Sequence, residues 1–173
     1  MNIDSLHWYA AHTMVNQEFR IKHFLEEADV ESFLPSKMVL RQFSDRKKMI
    51  ETPLIRGIVF VRTDSRTALS LLKERNMKAR YMYDYANRSM LVIPDRQMQD
   101  FISLVNNAGA DELTILNADF APGDRVQVVE GTFAGLEGEL VRIEGKNQVL
   151  IRVGRIAAVG VKIDKSQLIK IGK

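Results

Sequence analysis

From Phe120 to Ile171 the sequence has no helical period; short apolar runs alternate with glycine instead. The runs are Arg125–Val129, Glu139–Ile143, Gln148–Val153, Ala158–Ile163 and Gln167–Ile171, five in about fifty residues. Short strands at that spacing predict a small closed or nearly closed β-barrel. Val126, Val128, Val129, Val149, Ile151, Val153, Val159, Val161 and Ile163 are β-branched and largely alternate, which disfavours helix over the same residues. A barrel of this size buries limited area, so modest stability is expected of it.

Upstream the pattern is mixed. His7–Met14 reads as a strand, and Asn16 as the cap of a helix over 17–28 whose apolar positions are Phe19, Ile21, Phe24, Leu25 and Ala28. Ser32–Leu34 is extended, because Pro35 keeps Leu34 out of helical geometry. Met38–Ile50 reads as a hairpin with a polar, basic tip at Ser44–Lys48. Ile58–Val61 is a buried strand after Gly57, and Ser65 caps a second helix carrying Ala68, Leu69, Leu71 and Leu72. Arg80–Ala86 and Met90–Ile93 are short strands. Pro94 suits the first turn of a third helix with a stripe of Met98, Phe101, Ile102 and Val105. The change from mixed α and β to pure β places a boundary near residue 115. The expected organisation is an α+β domain over 1–108, with an antiparallel sheet and about three helices, a linker over 109–118, and a β-barrel domain over 119–173.

Composition removes several function classes. The chain has no cysteine, which excludes disulfides, thiolate metal sites and cysteine nucleophiles and agrees with a reducing cytoplasm. The longest near-apolar run, Leu54–Val61, is broken by Arg56 and falls far short of the ~20 residues a membrane-spanning helix needs. Met1–His7 lacks the basic and apolar regions of a secretory signal. The three histidines, His7, His12 and His23, form no HExxH pattern, and no GxxxxGK[ST] or GxGxxG run is present. Residues 131, 135 and 138 are glycines within an all-β segment, the wrong setting for a phosphate loop. No enzyme, metal or cofactor is expected.

Charge points elsewhere. The net charge is only +3, but residues 37–80 hold twelve Lys or Arg against Asp45, Glu51, Asp64 and Glu74, a difference of 12 − 4 = +8. Such a stretch suits nucleic acid or an acidic partner, and equally a solvated face.

The most specific signal is Phe120-Ala-Pro-Gly-Asp-Arg-Val-Gln-Val-Val-Glu-Gly-Thr-Phe-Ala-Gly-Leu-Glu-Gly-Glu-Leu-Val-Arg-Ile143. Pro122-Gly123-Asp124 makes a turn into the first strand, Gly131 and Gly135 bracket a loop, Phe133 is placed to plug the barrel end, and Gly138 allows a close strand approach. With Asp124 and Val126, these residues resemble the KOW motif of NusG-type proteins and some ribosomal proteins. The N-terminal half extends the likeness. His7-Trp8-Tyr9, Phe33-Leu34-Pro35 and Pro53-Leu-Ile-Arg-Gly-Ile-Val-Phe-Val-Arg62 resemble the NusG N-terminal domain in order and spacing, and so the resemblance spans the chain. Trp8 comes almost at once, as in specialised paralogues such as RfaH and the Bacteroides-type regulators of capsule loci.

The resemblance implies a monomeric, non-enzymatic transcription elongation and antitermination factor without a membrane segment, serving particular operons such as surface polysaccharide loci. It implies an apolar pocket for the clamp helices of the largest RNA polymerase subunit, at Trp8, His12, Ile55, Arg56, Gly57, Ile58 and Phe60, with Met98 and Phe101 from the third helix. Arg56 stands where the family has Pro, and Ile58 where it has Tyr. Core packing explains Ile58, Phe60 and Phe101 as well. Contact with non-template DNA in the transcription bubble is implied for Gln17, Arg20, Lys22 and His23, and with the second large subunit for Thr63, Ser65 and Thr67. Arg46, Lys47 and Lys48 are placed to meet upstream duplex phosphates. The barrel is implied to recruit a termination factor or a small-subunit ribosomal protein. The competing readings are a general housekeeping NusG and a ribosome- or RNA-binding KOW module.

Overall fold

A computed structural model describes residues 5–109, 111–117 and 123–172. Residues 1–4 of the stretch read for a secretory signal, Ala110 and Ala118 of the expected linker, and Phe120–Pro122 at the start of the glycine motif lie outside the described residues. In chain order the elements are β1 (His7–His12), α1 (Glu18–Glu27), β2 (Glu31–Phe33), β3 (Ser36–Gln42), β4 (Lys47–Pro53), β5 (Ile58–Thr63) and α2 (Ser65–Lys73). Next come β6 (Arg80–Tyr81), β7 (Tyr83–Asp84), β8 (Ser89–Met90), β9 (Val92–Ile93) and α3 (Asp95–Asn107). The remainder is β10 (Leu113–Asn117), β11 (Asp124–Val128), β12 (Glu137–Ile143), β13 (Lys146–Val153), β14 (Ala157–Lys162), a 3-10 turn (Lys165–Gln167) and β15 (Leu168–Lys170). The chain forms two compact units, Met1–Lys37 with Ile50–Asp95, and Met38–Met49 with Arg96–Lys173.

In the first unit β1 and β5 pair antiparallel along their whole length, with Ala10 opposite Phe60 and His12 opposite Ile58. Side chains alternate across a strand, so this register sorts them into two faces. Ala11, Val59 and Val61 form one core with Ile21 and Leu25 of α1 and Leu71 of α2. Trp8, Ala10, Ile58 and Phe60 occupy the opposite face and are buried as well. β2 extends the sheet beyond β5, and β6 and β9 share the far edge of β1.

Three helix starts differ from the sequence expectation. Asn16 does not cap α1: it adopts φ 69°, a left-handed conformation asparagine tolerates, and Gln17 takes the cap position without a side-chain bond. The buried side of α1 is Glu18, Ile21 and Leu25, so Phe19 faces out and is 38% exposed. The cap of α2 is Asp64 rather than Ser65; its carboxylate accepts from Arg66 N and Thr67 N, each at 2.9 Å, and from Thr67 Oγ1 at 2.7 Å. Those bonds, the backbone N–H of Thr67 foremost, hold the Asp64 carboxyl below the usual carboxylate range. Pro94 precedes α3 instead of lying in its first turn.

The second unit holds a six-stranded antiparallel sheet, β10-β14-β13-β12-β11-β15, where five strands were expected. The extra one is β10. Leu113–Asn117, read from its mixed composition as linker, pairs with β14 from Leu113 opposite Val161 to Asn117 opposite Ala157. Val126, Val128, Val149, Ile151, Val153, Val159 and Val161 are buried, but so are Leu150 and Ala158 between them, which pack with Val141, while Val129 is 43% exposed. Gly138 is where β12 crosses closely over β13: a Cβ there would lie 2.6 Å from Leu150 O and 2.7 Å from Val149 Cγ1. Phe133, expected to plug the barrel end, is only half-buried, whereas Leu136 three residues on is buried at 4% exposure. Arg152 grips Glu139 with two bonds, Nε at 2.7 Å and Nη2 at 3.0 Å, and Gly123 N donates to the same carboxylate at 3.1 Å. Burial pushes the Glu139 carboxyl up, but the Arg152 and Gly123 bonds outweigh it and leave the group below its ordinary value.

Candidate functional site

The surface expected to meet a partner in the first unit is organised by one buried residue. Glu18 opens α1, is 1% exposed, and its Oε1 accepts from Gly57 N at 2.7 Å. Gly57 sits at φ 72°, a region glycine enters without strain, and its carbonyl accepts from Thr13 N at 2.8 Å. Thr13 Oγ1 in turn donates to Lys78 O at 3.1 Å. The chain of bonds ties the turn before β5, the β1–α1 loop and the approach to β6 into one junction. Two residues beside Gly57, Ile55 is half-buried while Arg56 is exposed.

An open cleft of about 560 Å³ lies beside this junction, lined by His12, Thr13, Met14, Asn76, Lys78 and Arg80 among others. Lys78 and Arg80 bring two cations to it, and Met14, 78% exposed, an exposed apolar side chain. Sequence reading singled out only His12 of these. Lys78 and Arg80 were counted in the basic stretch, but nothing in their local pattern indicated that β6 would pair Arg80 with His12.

The expected nucleic-acid residues separate into two groups. Arg20 is exposed, Gln17 lies one turn earlier, and among the described residues Arg20 has no ion-pair partner. Lys22 and His23 are occupied within α1: Lys22 Nζ lies 3.6 Å from Glu26, and His23 lies 3.7 Å from Glu26 and 3.4 Å from Glu27. Arg46, Lys47 and Lys48 are all exposed at the tip of the β3–β4 hairpin, where Phe43 N bonds Arg46 O at 2.8 Å.

The expected polymerase pocket is placed as follows. Trp8, His12, Ile58 and Phe60 share one face of the β1–β5 pair. Three of them are core residues, with Trp8 and Ile58 at 5% and Phe60 at 0% exposure, whereas His12 is exposed. Met98 and Phe101 of α3, in the second unit, are fully buried. Accessible side chains of the set are therefore His12, Ile55 and Arg56. Thr63 is buried, and Thr67 is taken up by the Asp64 cap.

In the second unit Gly123, Asp124, Val126, Gly131, Phe133, Gly135 and Gly138 lie along β11, the turn after it and β12. Val126 is core, Gly131 and Gly135 both adopt positive φ, and Asp124 pairs with Lys170 at 2.9 Å. Among the described residues no group of three or more His, Asp or Glu side chains is placed to hold a metal ion. No helix of the described residues is long and apolar enough to cross a membrane.

Comparison with known proteins settles the family. The model described as "Transcription termination factor nusG" matches residues 6–102, more than half of the chain. The chain belongs to the NusG family. A KOW motif model matches residues 122–152, over the glycine-ordered segment. The transcription termination/antitermination protein NusG of Thermus thermophilus is 26% identical over 188 residues, covering 96% of this chain and 99% of that one. Among solved structures, one described as "Domain interaction in Thermotoga maritima NusG" is 18% identical, covers 97% of this chain and 98% of that one, and gives a TM-score of 0.47. An MjSpt4:Spt5 complex is 12% identical, covers 96% and 99%, and gives 0.29. The chain is thus a NusG-family transcription factor with the α+β architecture of a NusG N-terminal domain and a KOW domain.

Proposed function

We propose that this chain binds RNA polymerase at the clamp helices of the largest subunit, suppresses pausing or termination, and does so without catalysing a reaction of its own, in the cytoplasm. The observation that carries this reading is the family match over residues 6–102. Most of it falls on the first unit, in which Glu18 fixes the Gly57 turn that carries Ile55 and Arg56. Trp8, Ile58 and Phe60 support that surface from the core rather than by direct touch, since all three are buried. In functional terms residues 1–108 form the polymerase-binding part and residues 119–173 the KOW part.

Gln17 and Arg20 are the nucleic-acid contacts we favour on α1, because Glu26 and Glu27 already compensate Lys22 and His23. They meet the non-template strand in the bubble, while Arg46, Lys47 and Lys48 meet upstream duplex phosphates without sequence preference. The KOW domain recruits a second partner, a termination factor or a small-subunit ribosomal protein. Arg56 and Ile58, which depart from the family's Pro and Tyr, favour a specialised antiterminator serving particular operons over a general NusG.

Purified RNA polymerase should be retained by the immobilised chain, and Ile55→Asp should release it. Desolvating an aspartate in an apolar contact costs roughly 2–4 kcal/mol, which is about 30-fold or more in Kd. Equal retention of both proteins would remove Ile55 from the contact surface. No retention of either would favour the ribosome- or RNA-binding reading.

A further inference from the structure

The edge of the first sheet carries a small hairpin that the polymerase reading does not use. β6 runs against β1 as far as Tyr81 opposite Ala11, and Met82 N still bonds Ala10 O at 2.8 Å. β9 resumes the same edge with Val92 opposite Tyr9 and Ile93 opposite Trp8. Between them the chain leaves the sheet: Leu91 N bonds Met82 O at 2.8 Å to close a neck, and β7 pairs with β8 through Tyr83 opposite Met90 and Asp84 opposite Ser89. The tip is held in shape from within. Asp84 Oδ1 accepts from Ala86 N at 3.0 Å and Asn87 N at 3.4 Å, Oδ2 accepts from Asn87 Nδ2 at 2.7 Å, and Arg88 turns the chain at φ 50°.

This rigid projection displays two aromatic rings to solvent. Tyr83 is 47% exposed and Tyr85 85%, their centroids 5.2 Å apart at 71°. Tyr85 keeps nearly its whole surface in water, which the fold itself does not require. Two exposed arginines are close to the pair in the chain, Arg80 at the base of the hairpin three residues before Tyr83 and Arg88 in its turn three residues after Tyr85, while the carboxylate of Asp84 is taken up by the loop's own N–H groups. Aromatic faces beside arginine are the combination on which unpaired bases stack, without regard to sequence. Bases in a duplex have no free face to offer, so the positive charge and the open rings together select a single strand.

We infer that the β7–β8 hairpin is a stacking platform for single-stranded nucleic acid, with Tyr83 and Tyr85 taking successive bases and Arg80 and Arg88 the adjoining phosphates. The inference does not rest on clamp binding and fails separately from it. The test titrates the full chain with a fluorescently labelled twenty-nucleotide thymidine strand, and with a duplex of the same length, across a range of salt.

Wild type should bind the single strand. A Tyr83→Ala/Tyr85→Ala double variant should bind it more weakly by roughly thirtyfold or more, each stacked base being worth about fivefold or more. Its salt dependence and its duplex affinity should not change, because no phosphate contact is lost. Tyr83→Phe/Tyr85→Phe, which keeps both rings, should bind as wild type does. Both side chains are exposed, so the variants should melt together with wild type. Undiminished binding by the alanine variant overturns the platform, and so does equal weakening on single strand and duplex, or a wild type with no affinity for the single strand. Loss of polymerase retention with single-strand affinity intact would also overturn it, by making the hairpin a protein contact.

Discussion

Replacing Glu18 with alanine should destabilise the chain by about 2–4 kcal/mol and weaken polymerase retention beyond what the loss of fold explains. The side chain is 1% exposed and its Oε1 holds Gly57 N at 2.7 Å. Truncation leaves that buried N–H unsatisfied and opens a void at the start of α1, and both penalties fall on a turn whose glycine is already committed to φ 72°. The second oxygen, Oε2, is buried without a hydrogen-bond partner among the described residues. Glu18→Gln keeps an acceptor for Gly57 and should therefore stay within about 1 kcal/mol of wild type. Urea unfolding of the two variants separates the cases. If both lose the same stability, the Gly57 bond is not what Glu18 contributes. If neither loses any, the turn is held by its backbone alone.

Gly138→Ala should be nearly as damaging in the second unit, at about 2–3 kcal/mol. The added Cβ would meet Leu150 O at 2.6 Å and Val149 Cγ1 at 2.7 Å. A side-chain methyl can turn aside, but a backbone oxygen in a ladder cannot, because Leu150 pairs with both Glu139 and Gly160. Relief therefore requires prising β12 from β13, which also disturbs the Glu139–Arg152 pair one residue along. Calorimetric melting of the full chain gives the measure, and a loss below about 0.5 kcal/mol, the range of an ordinary surface change, would show that the strands accommodate the methyl.

How far the sequence could be read follows from where each signal is stored. The glycine-ordered segment was legible because close approach and positive φ restrict a position to one residue type. The alternation of β11 to β14 was legible because both faces of a strand are visible in a handful of consecutive residues. β10 was missed because Leu113–Asn117 has no strong local pattern and is a strand only through its partner β14, forty or more residues on. Glu18 was missed for the same reason. On its own helix it counts as one more polar position, and only Gly57, 39 residues away, makes it a core residue while Phe19 turns outward.

The competition between Ser65 and Asp64 as cap was a one-residue boundary question that only the carboxylate's bonds decide. For the candidate site, Trp8, His12, Ile58 and Phe60 were named by the resemblance, which carries no information on depth: they share one side of β1 and β5, yet only His12 among them is exposed. The cleft with Lys78 and Arg80 is assembled by pairing across the β1 edge and leaves no local trace.

The central claim, that this NusG-family chain acts by gripping the polymerase clamp, is tested most directly by measuring its affinity for purified RNA polymerase with intact clamp helices and for the same enzyme with their tip deleted. The account predicts binding to the intact enzyme and a loss of at least ~100-fold, close to 3 kcal/mol, on deletion. Equal affinity for the two enzymes would contradict it.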